Sequence, residues 1–164
     1  MKKIIFLLFI LTNYGYAQGN GSTFYLIRHA EKQRTELHNK NPHLNSKGTL
    51  RAENWSRVFK HIKFDLIYST SYHRTQETAT PTSLQKTVPI HLYDPKFLYT
   101  SAFKEATKNK TVLIVGHSNT SPAFANKIIG SEIYPAIDDL NNSNLYIIQV
   151  KNEQITHQLL YIPL

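Results

Sequence analysis

The segment from Thr111 to Gly116 constrains the fold of this chain more than any other part of the sequence. Its centre, Val112 to Val115, is apolar at every position, so both faces of a strand here would be apolar. A strand buried on both faces is typical of a parallel sheet that is covered by helices on each side. Shorter β-rich runs alternate with amphipathic segments elsewhere in the chain, which favours the same α/β organisation.

The remaining elements are predicted from the same kind of pattern. We expect further strands at 23–27, 65–69 and 87–92, and helices at 46–61, 72–84, 101–109 and 120–129. Two apolar runs, 144–150 and 154–162, flank the turn residues 151–153, which predicts a hairpin with at least one antiparallel strand. The predicted fold class is therefore a three-layer α/β/α sandwich with a mostly parallel central sheet, in one domain.

The first long helix has both a start signal and an apolar face. Ser46 is predicted to cap this helix, and Ser71 the helix that follows the second strand. Apolar residues recur at helical spacing along the first helix, so we expect them to face the sheet. They are Leu50, Trp55, Val58, Phe59 and Ile62.

The beginning of the chain has the pattern of an export signal. Two lysines precede eight consecutive apolar residues, Ile4 to Leu11, and Gly15 and Ala17 supply the small residues of a cleavage site. We predict a signal peptide at 1–17 and a mature domain at 18–164, in the periplasm of a bacterium or secreted from it. The alternative is a membrane anchor, but the run is far shorter than the roughly 20 residues that span a bilayer.

Composition excludes several kinds of chemistry. The chain has no cysteine, which excludes disulfides, thiolate nucleophiles and thiolate metal sites. The formal net charge is +8, and removal of Lys2 and Lys3 with the leader leaves +6, which favours anionic partners. The lysines are scattered rather than clustered with aromatic residues, so we predict no nucleic-acid partner and, after cleavage, no membrane contact.

Charged and nucleophilic side chains follow three of the predicted parallel strands. Arg28 and His29 follow the first strand, Arg74 begins the helix after the second, and His117 follows the fourth. Because the carboxyl ends of parallel strands lie at one edge of an open α/β sheet, we expect these four side chains to converge. The sequence therefore predicts a pocket that contains two guanidinium groups and two imidazoles.

This set of groups suits a phosphate monoester, which is mostly a dianion near neutral pH. Arginine stays protonated and offers a planar fork to two phosphate oxygens, and the first helical turn around Arg74 favours an anion as well. A neutral imidazole at His29 can attack phosphorus, and a covalent phosphohistidine divides one hard displacement into two easier ones. Arg28, Arg74 and His117 would then offset the charge on the equatorial oxygens.

Four segments, in the same order along the chain, resemble the signatures of the histidine phosphatase superfamily, also called phosphoglycerate-mutase-like. They are Arg28 to Glu31, Leu44 to Gly48 with Arg51 and Ala52, Ser69 with Arg74 to Ala79, and Val115 to Ser118. The resemblance implies a phosphoglycerate-mutase-like fold, with His29 as the phosphorylated nucleophile. It implies that Arg28 and Arg74 bind the phosphoryl group, that His117 completes the pocket, and that no metal or organic cofactor is needed.

From the residues and the resemblance we predict a hydrolase of the histidine acid phosphatase type, acting on a small phosphorylated substrate. Two alternatives stay open. The short length and Ala30, in place of the commoner glycine, resemble the family's small phosphohistidine-protein phosphatases. A binding module that keeps the anion pocket without turnover is the other alternative.

The general acid is the least defined part of the predicted site. Many members of the family carry a glutamate after the third strand as proton donor, and the corresponding stretch here, 93–100, has none. Asp94 is the one carboxylate there and is predicted to take this role, with a simple Asp94-Pro95 turn as the alternative. If Asp94 only forms a turn, the enzyme would need substrates with good leaving groups, or another source for the proton that the leaving group takes up.

The other histidines do not show the spacing of metal ligands along the sequence, so we predict no metal site. They are His38, His43, His61, His91 and His157.

Overall fold

The computed structural model describes residues 21–35 and 38–164. The predicted signal peptide at 1–17 lies outside the described residues, so its presence and cleavage stay predictions. Within the described part, no helix combines the length and the apolar character needed to cross a membrane.

In the described part of the chain, six strands alternate with four helices and end in a hairpin. The strands are β1 (Gly21–Arg28), β2 (Leu66–Ser69), β3 (Ile90–Leu92), β4 (Thr111–Gly116), β5 (Asn144–Lys151) and β6 (Gln154–Tyr161). The helices are α1 (Ser46–Val58), α2 (His73–Lys86), α3 (Ser101–Ala106) and α4 (Thr120–Ile129). Each predicted element is present, with ends that differ by a few residues.

The sheet order is β3-β2-β4-β1-β5-β6, and β4 lies near its centre as its apolar sequence predicts. The pairs β3–β2, β2–β4 and β4–β1 are parallel, whereas β1–β5 and β5–β6 are antiparallel. In this register Arg28 lies opposite Gly116, and Ser69 lies opposite Val115. Strands β1, β2 and β4 therefore end nearly level, which brings the residues that follow them to one edge.

The sheet separates two apolar layers, which confirms the predicted three-layer sandwich. Leu26 and Ile114 belong to a cluster with Phe124 of α4 on one face. Ile27 belongs to a second cluster with Trp55 of α1 on the opposite face, where α1 and α2 pack together. Alternate residues of the central strands thus supply both cores, because successive side chains of a strand point to opposite faces.

Both predicted helix caps are wrong. Asn45 caps α1, and its Oδ1 accepts a hydrogen bond from the backbone N–H of Gly48 at 2.9 Å. Ser46 already lies inside the helix, since the extended backbone that a cap requires occurs one residue earlier. Tyr72, not Ser71, precedes α2, and it makes no side-chain capping hydrogen bond.

The predicted apolar face of α1 is only partly correct. Trp55 and Phe59 are buried, but Leu50 is 53% exposed and Val58 is 38% exposed. The helix instead buries a charged residue, Arg51, which is 5% exposed.

Arg51 is buried because it forms a two-pronged ion pair with Glu31, just after the end of β1. Its Nε donates to Glu31 Oε2 and its NH2 group donates to Oε1, both at 2.9 Å. Burial opposes ionisation of Glu31, but the hydrogen bonds to this carboxylate and the charges of Arg51 and Lys47 together outweigh it and hold the Glu31 pKa below its ordinary value. Gly48 allows this approach, because a Cβ there would lie 2.1 Å from the Glu31 carbonyl oxygen.

We expect Glu31→Ala to lower the free energy of unfolding by about 3 kcal/mol, because the change leaves the Arg51 guanidinium buried without its counter-charge. Glu53→Ala, at an exposed glutamate of the same helix, is the matched control and should change stability by less than about 0.5 kcal/mol. Urea unfolding of both variants measures the difference, and equal midpoints would show that the ion pair contributes nothing.

Candidate active site

A cavity of about 330 Å³ lies at the carboxyl edge of the sheet. Arg28, His29, Arg74 and His117 all line it, although they come from segments far apart in sequence. Lys32 and Asp139 line it as well, so three cationic side chains face one carboxylate among the lining residues that the structure describes. This charge balance favours an anion; the catalytic roles of the four residues stay predictions.

The backbone of His29 is fixed on both sides. Its N–H donates to the carbonyl of Gly116 at 2.8 Å, which continues the β1–β4 pairing by one residue. Its carbonyl accepts a hydrogen bond from Asn142 Nδ2 at 2.8 Å, just before β5 begins. These contacts fix the backbone at His29, and the residue is 4% exposed.

The His29 ring has a defined tautomer. Nδ1 lies 2.7 Å from the carbonyl oxygen of Ala30. Because a carbonyl can only accept, Nδ1 must carry the proton of the neutral ring, and Nε2 then keeps its lone pair. This is the form of imidazole that a nucleophile requires.

Burial lowers the pKa of His29 to about 3, although its hydrogen bond to Ala30 acts in the opposite direction. The positive charges of Arg28 and Arg74 lower it further. The unliganded pocket therefore holds this ring neutral at neutral and moderately acidic pH.

His117 has the opposite tautomer, which its neighbours determine. The Thr75 hydroxyl lies 2.8 Å from the Tyr72 carbonyl and 3.1 Å from the Thr70 carbonyl, so it donates to one of these two oxygens. Thr70 Oγ1 then donates to Thr75 at 2.8 Å and accepts from His117 Nε2 at 3.0 Å. His117 Nδ1 keeps a lone pair, which faces the NH2 group of Arg74 at 3.4 Å.

The two imidazoles form a pair, with ring centroids 5.5 Å apart. Burial lowers the pKa of His117 to about 4, and the charge of Arg74 adds to this effect. Both rings are consequently neutral near pH 7, and the positive charge of the pocket comes from its arginines and Lys32.

Arg74 lies in the first turn of α2, and its side chain makes only weak contacts. Its guanidinium lies over the Tyr72 ring, 4.4 Å from the centroid, and NH1 donates to the Lys40 carbonyl at 3.4 Å. Its buried Nε–H has no hydrogen-bond partner among the described residues. These weak contacts leave Arg74 with donors to offer to an anion.

Arg28 is held much more firmly than Arg74. Its NH1 group donates to the carbonyls of Asp138, Asp139 and Asn141, at 2.8, 3.1 and 2.9 Å. Its NH2 group donates to Asp139 Oδ1 at 2.8 Å, and the side chain is 2% exposed. The sequence predicts that the Arg28 guanidinium binds a phosphoryl group. The structure shows instead that both of its terminal NH2 groups are hydrogen-bonded to the loop before β5.

Asp139 joins two arginines at the edge of the pocket. Its Oδ2 forms an ion pair with Arg34 at 2.8 Å, beside the bond from Arg28 to Oδ1. The hydrogen bonds from Arg34 and Arg28 lower the Asp139 pKa to about 2. This carboxylate is therefore ionised at working pH and has no proton to give to a leaving group.

Comparison with known proteins agrees with the resemblance that the sequence shows. Residues 24–95 match the model of the histidine phosphatase superfamily (branch 1), which includes three of the four segments that carry the resemblance. The fold matches solved phosphatase and mutase structures of this type over most of the chain. The sequence match and the likeness of fold both support the histidine phosphatase superfamily.

Three of the matching structures of this superfamily fold illustrate the likeness. A candidate alpha-ribazole-5'-P phosphatase from Escherichia coli has a TM-score of 0.68 at 16% identity, with 88% of this chain and 100% of that one covered. Phosphoglycerate mutase from Bacillus anthracis has a TM-score of 0.66 at 15% identity, with 87% of this chain and 94% of that one covered. A candidate phosphohistidine phosphatase, SixA, from Agrobacterium tumefaciens has a TM-score of 0.63 at 20% identity, with 85% of this chain and 97% of that one covered. At these identities the likeness concerns the fold. No curated protein sequence matches the chain significantly.

Asp94 does not line the pocket that contains His29. It is exposed, its Oδ1 accepts from the backbone N–H of Lys96 at 2.9 Å, and its carbonyl accepts from Phe97 at 3.0 Å. These contacts make the turn that the sequence offers as the alternative. Pro95 lines the pocket, but Asp94 does not, so its role as general acid stays a prediction that the geometry does not support.

Several residues that position the site are absent from the set predicted from sequence. Thr78 accepts from the backbone N–H of Ala30 at 2.9 Å and donates to the Arg74 carbonyl at 2.6 Å. The polar run 138–142 supplies Asp139 and Asn142. A signal for that run exists: β5 is antiparallel to β1, so residues just before β5 must lie beside the end of β1.

We expect the free energy of unfolding to fall as the pH decreases from about 6.5 to 4.5. His29 and His117 have lower pKa values in the folded chain than the reference value of ~6.5, so the unfolded state binds more protons in this range. Each group contributes a slope of up to about 1.4 kcal/mol per pH unit. Urea unfolding at several pH values measures this slope.

His29→Asn should make this pH dependence shallower, since the amide still donates to the Ala30 carbonyl but does not titrate. His61→Asn, at an exposed histidine, is the matched control and should keep the wild-type slope. An unchanged slope in His29→Asn would contradict the lowered pKa of His29.

Asp139→Asn should bind inorganic phosphate more tightly than the wild type, by about 1 kcal/mol or fivefold, because a negative charge leaves the pocket while an acceptor for Arg28 stays. Calorimetric titration with phosphate measures the change. Asp138→Asn, whose carboxylate accepts from the Leu140 N–H outside the pocket, should show wild-type affinity. Weaker binding by Asp139→Asn would mean that the carboxylate chiefly positions Arg28.

Proposed function

We propose that this protein hydrolyses phosphomonoesters through a phosphohistidine intermediate on His29. One observation carries the proposal: a neutral imidazole, with Nδ1–H bonded to the Ala30 carbonyl, lies in a pocket with cationic walls. The Nε2 lone pair is free for attack, and the surrounding charges favour a phosphate dianion.

The reaction that we propose has two displacement steps. First, His29 Nε2 forms a bond to phosphorus as the ester P–O bond breaks, and the alcohol leaves with a proton from solvent. Water then attacks phosphorus and the P–N bond breaks. Inorganic phosphate is released, the surplus proton of the water goes to solvent, and neutral His29 is regenerated. No redox change occurs in either step.

The two arginines would contribute in different ways. Arg74 has weak contacts and an unpaired Nε–H, so it can turn to the phosphoryl oxygens at little cost. Arg28 also has an unpaired Nε–H, but both of its terminal groups are engaged, and the NH2 group can reach the same oxygens only if the phosphoryl group shares or displaces the carboxylate of Asp139. We infer that Arg74 supplies most of the early binding.

The low pKa values favour the histidine acid phosphatase type. Because His29 stays unprotonated well below pH 6, the nucleophile is available in acidic solution. The predicted leader supports a periplasmic or secreted location, and we propose that the substrate is a small phosphorylated compound there.

A second candidate function is hydrolysis of phosphohistidine on a protein. The pocket lining that the structure describes has Asp139 as its carboxylate, and this group is held ionised. An alcohol leaves poorly without a general acid, whereas an imidazole leaves more easily. The open pocket also favours this candidate, while the predicted export counts against it.

We expect His29→Ala to lower the turnover of p-nitrophenyl phosphate by at least about 10³-fold, because the covalent route is lost. Rapid quench of the wild type with radiolabelled substrate should trap an acid-labile phosphoenzyme that His29→Ala lacks. His61→Ala serves as the control and should keep the wild-type rate.

Equal rates in His29→Ala and the wild type would remove His29 from the mechanism. Turnover of a phosphohistidine peptide but of no phosphoester would favour the second candidate. Phosphate binding without turnover of either substrate would leave a non-catalytic anion-binding module.

A further inference from the structure

A second cluster of ligand-type side chains lies beside the phosphate pocket. We propose that His43, His73 and Glu77 form a site for a transition-metal ion of the Zn²⁺ type. One donor atom from each residue lies within 4.8 Å of the other two. None of the three lines the phosphate pocket, so the site is separate from the proposed nucleophile.

Two of the ligands come from one helix. His73 and Glu77 are four residues apart in α2, so their side chains lie on the same face, one turn above the other. His43 reaches this face from the segment before α1. Its ring stacks on that of His73, with centroids 4.2 Å apart and planes 13° apart.

The Glu77 carboxylate is already oriented as a ligand. Its Oε2 accepts a hydrogen bond from the backbone N–H of Leu44 at 2.8 Å. The other oxygen, Oε1, contacts Nδ1 of His43. One oxygen is therefore held by the backbone while the other points into the cluster, as in metal sites whose carboxylate is positioned by an outer hydrogen bond.

The backbone around the histidines is also fixed. The N–H of His73 donates to Asn41 Oδ1 at 2.8 Å, and the carbonyl of His43 accepts from the N–H of Gln33 at 2.9 Å. The two segments that carry the ligands are thus attached to each other without any ion. Only exposed side chains need to turn for the donor atoms to close around a metal.

The donor set selects the class of ion. Two imidazole nitrogens and one carboxylate oxygen suit Zn²⁺, with a fourth position left for water, whereas Ca²⁺ and Mg²⁺ prefer oxygen ligands alone. Both histidines are exposed and the Glu77 side chain is 34% exposed, so an ion can enter directly from solvent. The sequence-based prediction of no metal site rests on histidine spacing and does not consider the pair His73 and Glu77 on α2.

A bound ion would also tie the segment before α1 to the start of α2. Arg74 follows His73 directly, and the carbonyl of Lys40, in the same segment as His43, accepts from its NH1 group. We therefore expect the ion to stabilise the fold around Arg74 without entering the displacement chemistry.

Metal binding by the untagged chain tests this proposal after dialysis against EDTA. We expect the wild type to bind Zn²⁺ one to one by calorimetry, and to give the intense visible absorption of a low-coordinate site with Co²⁺. His43→Ala, His73→Ala and Glu77→Gln should each weaken Zn²⁺ binding at least about tenfold. Glu77→Gln keeps an acceptor for the Leu44 N–H, which separates ligand loss from misfolding.

Thermal unfolding supplies an independent readout. Zn²⁺ should raise the unfolding midpoint of the wild type and of the control variant His61→Ala, and at the same concentration should raise the midpoints of the three cluster variants much less. The metal-free midpoints of the cluster variants show whether they fold. Absence of stoichiometric binding by the wild type, or wild-type affinity in all three variants, would overturn the proposal, and neither outcome bears on the role of His29 in hydrolysis.

Discussion

The parallel pairing of β1 with β4 is the constraint on which the site depends. It sets Arg28 opposite Gly116, and the His29 N–H extends the pairing by donating to the Gly116 carbonyl at 2.8 Å. Because β2 pairs with the other side of β4, Thr70 and His117 also lie at the same edge. A shift of one residue in this register would turn the side chains of β1 to the opposite face and separate the two imidazoles.

Burial then keeps both imidazoles of this arrangement neutral. A histidine on a protein surface would be partly protonated in acidic solution, and protonation would remove the lone pair that we propose attacks phosphorus. The sheet edge desolvates His29 and His117 and surrounds them with cations, and both effects disfavour protonation. In acidic solution this lowers the stability of the fold, because the unfolded chain can protonate both histidines, and shifted pKa values of this kind are common at functional sites.

The sequence predicts the parts of this molecule that depend on local pattern and on strand order. The buried run 111–116 is sufficient to infer a central parallel strand, and strand order is sufficient to bring Arg28, His29, Arg74 and His117 to one edge. The contacts of Arg28 could not be inferred, because its carbonyl partners are more than a hundred residues away in a loop without a motif. For the same reason, the sequence does not show that His43 lies beside His73 and Glu77 of α2; only the folded structure brings the three residues together.

The contacts also explain why the family resemblance extends over segments that never touch the phosphate pocket. Glu31 follows the nucleophile segment and is bound through Arg51 to α1, and Gly48 is the residue that lets this helix come close enough. Thr78 connects the Ala30 N–H to the Arg74 carbonyl, so the nucleophile segment and the helix of the arginine are held by one hydroxyl. These contacts hold the backbone beside His29 and the first turn of the helix that carries Arg74 in one arrangement. The signature segments therefore include residues that hold the backbone around the pocket in place, as well as residues that line the pocket.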